Sequence, residues 1–232
     1  MTAPTLEQHL AANIAAVRAR IAAAAVRAGR DPAGVRLVGV SKTFPAEVVA
    51  AAVRAGLTDI GENRVREAVA KRAVLDAAGL RPTWHLVGHL QTNKVKPALQ
   101  TFDILHSIDS LRLAEALNRH AVRPVDVLIE INVAGEATKF GFAPEEVAGA
   151  VRQMQQLEHL RLRGLMTVAP QVDDPEQVRP VFRTLRTLRD AIGLTELSMG
   201  MTDDFEVAVE EGATMVRIGR AIFGPRPASG VG

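Results

Sequence analysis

Apolar positions along this chain fall into two alternating rhythms. Short, nearly continuous apolar runs of strand length occur at VRLVGVS (35–41), TDIGE (58–62), WHLVGH (84–89) and DILHSID (103–109). They recur at DVLIEIN (126–132), LRGLMTV (162–168), ELSMG (196–200) and MVRIG (215–219). Between them, stretches near 46–55, 63–78, 93–99, 110–121, 144–156, 175–192 and 203–211 read as helices. A longer helical pattern, within 5–30, precedes them all. Its Thr5 and Gln8 stand at capping-box spacing, Ile14, Val17, Ile21 and Ala25 share one face, and Gly29 is placed to end it. Asp174, Pro175 and Gln177 mark another helix start, with Pro180 imposing either a kink or a later beginning.

Eight strands that alternate with helices and are apolar throughout imply parallel pairing with helices outside. The strand count, with a length near the ~250 residues typical of the fold, predicts a closed (β/α)8 barrel with an extra N-terminal helix. An open doubly wound sheet is the competing architecture, but VSKTFP follows the first strand where a Gly-rich dinucleotide turn would stand. We expect one domain over residues 1–232, with the Pro/Gly-rich PRPASGVG (225–232) as a frayed tail. Function in such a barrel sits at the C-terminal ends of the strands. That rim collects Lys42, Glu62, Asn63, His85, His89, Ser107, Asp109, Asn132, Met166, Ser198, Gly200, Arg217 and Gly219.

Composition narrows the field. A formal charge of +2, few aromatics and no basic run give nucleic-acid binding little support. The absence of cysteine excludes disulfides, thiolate metal sites and cysteine nucleophiles. MTAPTLEQHL lacks the basic and apolar regions of a signal peptide, and no apolar run reads as long enough to span a bilayer. The expectation is a soluble cytoplasmic protein.

Lys42, at the tip of an apolar strand, is the first candidate for chemistry. Desolvation there disfavours the ammonium and supplies the neutral amine that imine formation needs. A snorkelling lysine, or a salt bridge to Glu62 across the barrel, is the competing reading. The turns LSMGMTDD and VRIGRAIFG follow the seventh and eighth strands, where barrels commonly hold a phosphate on backbone N–H groups of a short helix. Gly200 and Gly219 would let the backbone approach, and Ser198 and Arg220 could add side-chain donors. Arg217 shares a strand face with Gly219 by the period of two. It points either into the barrel or toward a helix-layer carboxylate such as Glu210. Asn63 either caps a helix or offers its amide to a ligand. His85, His89 and His106 read as polar positions at the barrel mouth, and no spacing among them suggests a metal set. Lys139, in AGEATKFGF, reads as a solvated loop lysine within reach of a secondary ligand contact.

The stretches VGVSKTFP, IGENRVREA, WHLVGHLQTNK, HSIDS, INVAGEATKFGF, RGLMTVAP and LSMGMTDDFEVAVEEGATMVRIGRAIFG resemble, in order, the YggS/PROSC family of pyridoxal 5′-phosphate homeostasis proteins. The resemblance runs from about residue 35 to Gly224. It implies a single barrel similar to the alanine racemase N-terminal domain, which binds pyridoxal phosphate and carries or buffers it inside the cell. On this resemblance Lys42 matches the lysine that forms the reversible aldimine. Ser198, Gly200, Gly219 and the following residue match the phosphate-binding turns, and Arg217 matches the arginine facing the pyridine nitrogen. Arg220 stands where many members have Ser or Thr, so it offers a backbone N–H but not that hydroxyl. Partners implied are the cofactor and, for delivery, apoenzymes that depend on it, with no nucleic acid or membrane. The chain itself is expected to be a monomer or a weak homodimer.

An arginine beside the pyridine nitrogen opposes its protonation and weakens the ring as an electron sink. Racemisation needs acid–base groups on both faces of the substrate carbon. Alanine racemases supply a tyrosine from a second domain, and this chain contains no tyrosine. The expectation is therefore a non-catalytic carrier, with a weak amino-acid racemase as the alternative. Aldolase-type Schiff-base chemistry on a phosphorylated sugar is a third reading, and Lys139 is a candidate second imine site.

Overall fold

In the computed structural model, which describes residues 4–136 and 138–225, eight parallel strands close into a barrel in chain order. The strands are β1 (Arg36–Val40), β2 (Asp59–Glu62), β3 (Thr83–Leu86), β4 (Ile104–Ile108), β5 (Val125–Glu130), β6 (Leu160–Met166), β7 (Glu196–Ser198) and β8 (Met215–Ile218). The connecting helices are α2 (Ala46–Arg54), α3 (Val65–Ala77), α4 (Val95–Thr101), α5 (Leu111–His120), α6 (Val147–Met154), α7 (Arg179–Ala191) and α8 (Phe205–Glu210). A short α9 (Arg220–Phe223) follows β8 and has no counterpart in the sequence reading. Four residues are too few for a helical period to register. The helix of the chain's start, α1 (Leu6–Arg27), forms behind the expected capping box: Gln8 N–H donates to Thr5 Oγ1, and Thr5 N–H to Gln8 Oε1 at 2.9 Å. Pro180 produces a later start rather than a kink, since α7 opens at Arg179 behind a 3-10 turn over Pro175–Val178.

One expectation about α1 is corrected. Its 22 residues are long and apolar enough, by length and composition, to cross a membrane. In the fold, its Leu10, Ile14, Val17 and Ile21 stripe is buried, and the helix packs against α2, α8 and α9. Alanine supplies much of the remaining apolar character, which lets it lie close to its neighbours. The tail beyond Pro225 lies outside the described residues.

Alternation along the strands sorts side chains into two cores. Outward residues such as Leu37, Ile60, Leu105, Val127, Leu197 and Val216 pack under the helices in the large core. Inward residues Val38, Ile104, Leu128, Met166 and Met215 form a small plug inside the barrel. The seam between β6 and β7 needs a glycine: a Cβ on Gly164 would lie 1.9 Å from the Glu196 carbonyl oxygen. β1 pairs with β8 with Val38 opposite Arg217, closing the barrel and setting the first and last strands side by side.

Candidate functional site

Lys42 follows Val38 and Val40 in the inward alternation of β1 and is half-buried at the strand's C-terminal end. It occupies a tight turn in which Phe44 N–H donates to the Ser41 carbonyl at 3.1 Å. Thr43, the third residue of that turn, has φ 73°, and it is the one non-glycine residue at positive φ among the described residues. A turn with φ above zero at this position normally takes glycine, and a β-branched residue there costs of order 1–3 kcal/mol. The turn is gripped from α3. Lys71, buried to 4% exposure, donates from Nζ to the Ser41 carbonyl (2.7 Å), Glu62 Oε1 (2.6 Å) and Glu67 Oε1 (2.7 Å). Glu67 Oε1 in turn accepts the Thr43 N–H at 2.6 Å. Phe44 packs its ring on Phe223 of α9 at 5.3 Å between centroids.

Glu62 is therefore not a partner reached across the barrel. It faces α3, bound by Lys71 and by the Ser41 hydroxyl at 2.5 Å, and its Oε2 is buried without a hydrogen bond. Burial lifts its carboxyl above the ordinary value, against the pull of Lys71.

Arg217 points into the barrel. Its Nη1 donates to Ser198 Oγ at 2.6 Å and its Nη2 to the Thr167 carbonyl at 2.8 Å. Glu210, the carboxylate weighed as a helix-layer partner, pairs instead with Arg27 and Arg179. Burial lowers the Arg217 pKa to about 10, which leaves it a cation at neutral pH. Behind Ser198 runs a chain of buried polar groups that sequence reasoning missed as a unit: His106 Nδ1 at 2.8 Å, His85 2.9 Å beyond it, and Asp59 Oδ1 a further 2.9 Å on. His85 and His106 thus lie inside the barrel, not at its mouth.

The direction of this chain follows from counting protons. Asp59 accepts, so His85 Nε2 donates, and Arg217 donates into Ser198. Burial first, with the Arg217 cation adding to it, holds His106 well below the ordinary histidine value, so it carries one proton. With one proton on each imidazole, the bonds run Ser198 to His106, His106 to His85 and His85 to Asp59. Burial raises the Asp59 carboxyl, but the hydrogen bonds from His85 and Thr58, with the Arg36 guanidinium nearby, together outweigh it and hold the group below its ordinary value. Ser198 was expected as a donor at the turn after β7; its hydroxyl is consumed below that turn.

The turns themselves are backbone features. Gly200 has φ 90°, and a Cβ there would lie 2.5 Å from the Ala208 Cβ and 2.9 Å from the Phe205 Cα. Only glycine fits. After β8, the Gly219 carbonyl accepts from both Ile222 and Phe223, while the N–H groups of Arg220 and Ala221 find no backbone acceptor among the described residues. A Cβ on Gly219 would approach the Val40 carbonyl to 3.2 Å. The Arg220 side chain is exposed and pairs with Asp203, so it points away from these amides.

The rest of the rim divides. Asn63 is half-buried and does not cap α3, whose N-cap is Arg64; Gly88 lies against its backbone. His89 bonds Asp109 at 2.8 Å and stacks on Phe140 at 3.8 Å. Lys139 is not simply solvated: it pairs with Glu136 at 2.5 Å and donates to the Val168 carbonyl. Glu130, at the end of β5 and opposite Met166, alternates with Leu128 and so lies on the inner face. Burial, then the Asp109 carboxylate, push its pKa to about 7 against the opposing effect of Arg217. The sequence carried the signal for it, a carboxylate inside the apolar run DVLIEIN. No group of three or more His, Cys, Asp or Glu positioned for a metal exists among the described residues.

The chain resembles known proteins over nearly its whole length. Residues 8–227 match the family model for the alanine racemase N-terminal domain. A pyridoxal phosphate homeostasis protein of Pseudomonas aeruginosa is 46% identical over 94% of this chain and 96% of its own. One from Aquifex aeolicus is 44% identical over 92% and 97%. Among solved structures, PipY of Synechococcus elongatus with pyridoxal phosphate bound superposes with a TM-score of 0.81 at 36% identity, covering 93% of this chain and 100% of that one. Alanine racemase of Clostridium difficile shares the fold, with a TM-score of 0.70 at 17% identity over 95% of this chain and 58% of the enzyme.

Proposed function

Because this chain belongs to the family of pyridoxal phosphate homeostasis proteins, built on the alanine racemase N-terminal domain, we propose that it binds pyridoxal 5′-phosphate at the barrel mouth and holds it reversibly for buffering or delivery in the cytoplasm. The observation that carries this reading is a pairing of adjacent strands: β1, which a half-buried lysine follows, lies beside β8, which carries a buried arginine and is followed by amides with no backbone acceptor among the described residues.

The residues present fit such a ligand. The bound group supplies an aldehyde that condenses with a primary amine, a pyridine nitrogen and an anionic phosphate. Lys42 offers the amine, from a backbone held on both sides. Arg217 offers a fixed cation inside the barrel and opposes protonation of a ring nitrogen placed near it. Arg220 and Ala221 offer an anion two N–H groups that have no backbone acceptor among the described residues, and Gly200 and Gly219 keep side chains out of the approach. With the Ser198 proton committed to His106, backbone donors take the phosphate role. Asn63 stands at the rim as a further polar contact. A carrier needs nothing more.

The carrier reading over a racemase is supported by the absence of tyrosine from the sequence, since racemisation needs an acid–base group on each face of the substrate carbon. Replacement of Lys42 by alanine should abolish the borohydride-reducible visible chromophore formed with pyridoxal phosphate while leaving the circular dichroism spectrum unchanged. An intact chromophore would overturn the assignment. Loaded protein incubated with L-alanine should leave its enantiomeric composition unchanged; cofactor-dependent appearance of D-alanine would favour the racemase.

A further inference from the structure

The turn that carries Lys42 is built against its own sequence. Its third residue requires positive φ, yet is Thr43, a β-branched residue for which the left-handed region is an outlier. Such a conformation persists only where the surroundings over-determine it, and here they do. Glu67 Oε1 holds the Thr43 N–H at 2.6 Å, on one side of Lys42. Lys71 Nζ holds the Ser41 carbonyl at 2.7 Å, on the other. The two are joined by the Lys71–Glu67 contact at 2.7 Å and anchored to β2 through Glu62 at 2.6 Å. Lys71 and Glu67 stand one helical turn apart on α3, so a rigid element spans the grip.

We propose that Lys71 and Glu67 are positioning residues for Lys42: by forcing Thr43 into the left-handed region they hold the amine-bearing turn in one conformation, ready to capture the aldehyde. Both act through the backbone on either side of Lys42, at the Ser41 carbonyl and the Thr43 N–H. Their effect is preorganisation, because a turn fixed before binding loses no backbone freedom on binding. The strain is carried by the unliganded fold. Relaxing it should therefore stabilise the protein and weaken its hold on the cofactor, a combination that a purely structural role would not give.

This inference rests on Lys42 being the capturing amine, and the experiment separates the two. Thr43→Gly, Glu67→Ala, Glu67→Gln and Lys42→Ala are compared by pyridoxal phosphate titration, followed by visible absorbance, and by thermal unfolding of the unliganded proteins. Thr43→Gly is expected to raise Tm by about 2–4 °C and to weaken binding about tenfold, keeping a borohydride-reducible chromophore. Glu67→Ala should weaken binding in the same direction. Glu67→Gln, which keeps an oxygen for the Thr43 N–H, should recover part of the loss. Lys71 is tested as Lys71→Arg, because Lys71→Met would strand the Glu62 carboxylate and risk the fold. The arginine variant should fold and bind more weakly than wild type.

Wild-type affinity in Thr43→Gly and Glu67→Ala, alongside loss of the chromophore in Lys42→Ala, would overturn the clamp and leave the cofactor assignment standing. A Tm for Thr43→Gly at or below wild type would show that the turn stores no strain, with the same consequence for the clamp. A retained chromophore in Lys42→Ala would remove both.

Discussion

At the scale of single residues, Glu130 is a carboxyl whose ionisation is shifted towards neutral pH. Its carboxyl is raised by burial to about 7, whereas an unfolded glutamate titrates near 4.3. The folded protein therefore holds a proton that the unfolded chain releases, so stability falls as pH rises through that window. Above it, both states are ionised and the loss is complete. Glu130→Gln removes the cost, and unfolding in urea at pH 8 should find it more stable than wild type by on the order of 2 kcal/mol. The two should converge near pH 4. A wild-type stability flat from pH 5 to 8 relative to the variant would contradict this. Ser198 makes a second case. Loss of its hydroxyl leaves Arg217 Nη1 and His106 Nδ1 without the partner between them. Ser198→Ala should therefore cost about 2 kcal/mol in the same assay. Lys42 and Arg217 were legible in the sequence because each is a basic side chain within or just past an apolar run. Thr43, Glu67 and Lys71 were not. Their meaning comes from a backbone angle and from a helix whose register against the strand no local pattern encodes.

At the scale of elements, the β6–β7–β8 segment is the thinnest part of the ladder, with three paired positions between β6 and β7 and one between β7 and β8. Side chains reinforce it. Arg217 on β8 reaches Ser198 on β7 and the Thr167 carbonyl just past β6, tying all three strand ends together. Backbone packing there allows no Cβ at Gly164, so Gly164→Ala should lower stability by about 3 kcal/mol or more, read from the urea midpoint. Wild-type stability for that variant would mean that the seam is looser than described. The eight strands and their helices were readable because a buried parallel strand is short, apolar and bounded by turn residues. Their ends were less so: His89 was placed on the third strand, which stops at Leu86, and α9 left no periodic trace.

At the scale of the whole molecule, chain closure makes the site. Lys42 and Arg217 are 175 positions apart in sequence, yet Lys42 follows β1 and Arg217 lies on β8, and those strands pair, so the barrel converts distant residues into one mouth. The same closure builds the interior chain from Asp59 to Arg217 out of five different strands. Each histidine in it was visible as a polar residue in an apolar run, but their contact with one another is a property of the closed barrel alone. A carrier of this design keeps its amine at the rim and its fixed cation inside. The most direct measurement is peptide mapping after loading with one equivalent of pyridoxal phosphate and reduction with borohydride. The account predicts a single labelled peptide containing Lys42. Label distributed over surface lysines such as Lys94 and Lys96, with the Lys42 peptide unmodified, would contradict it.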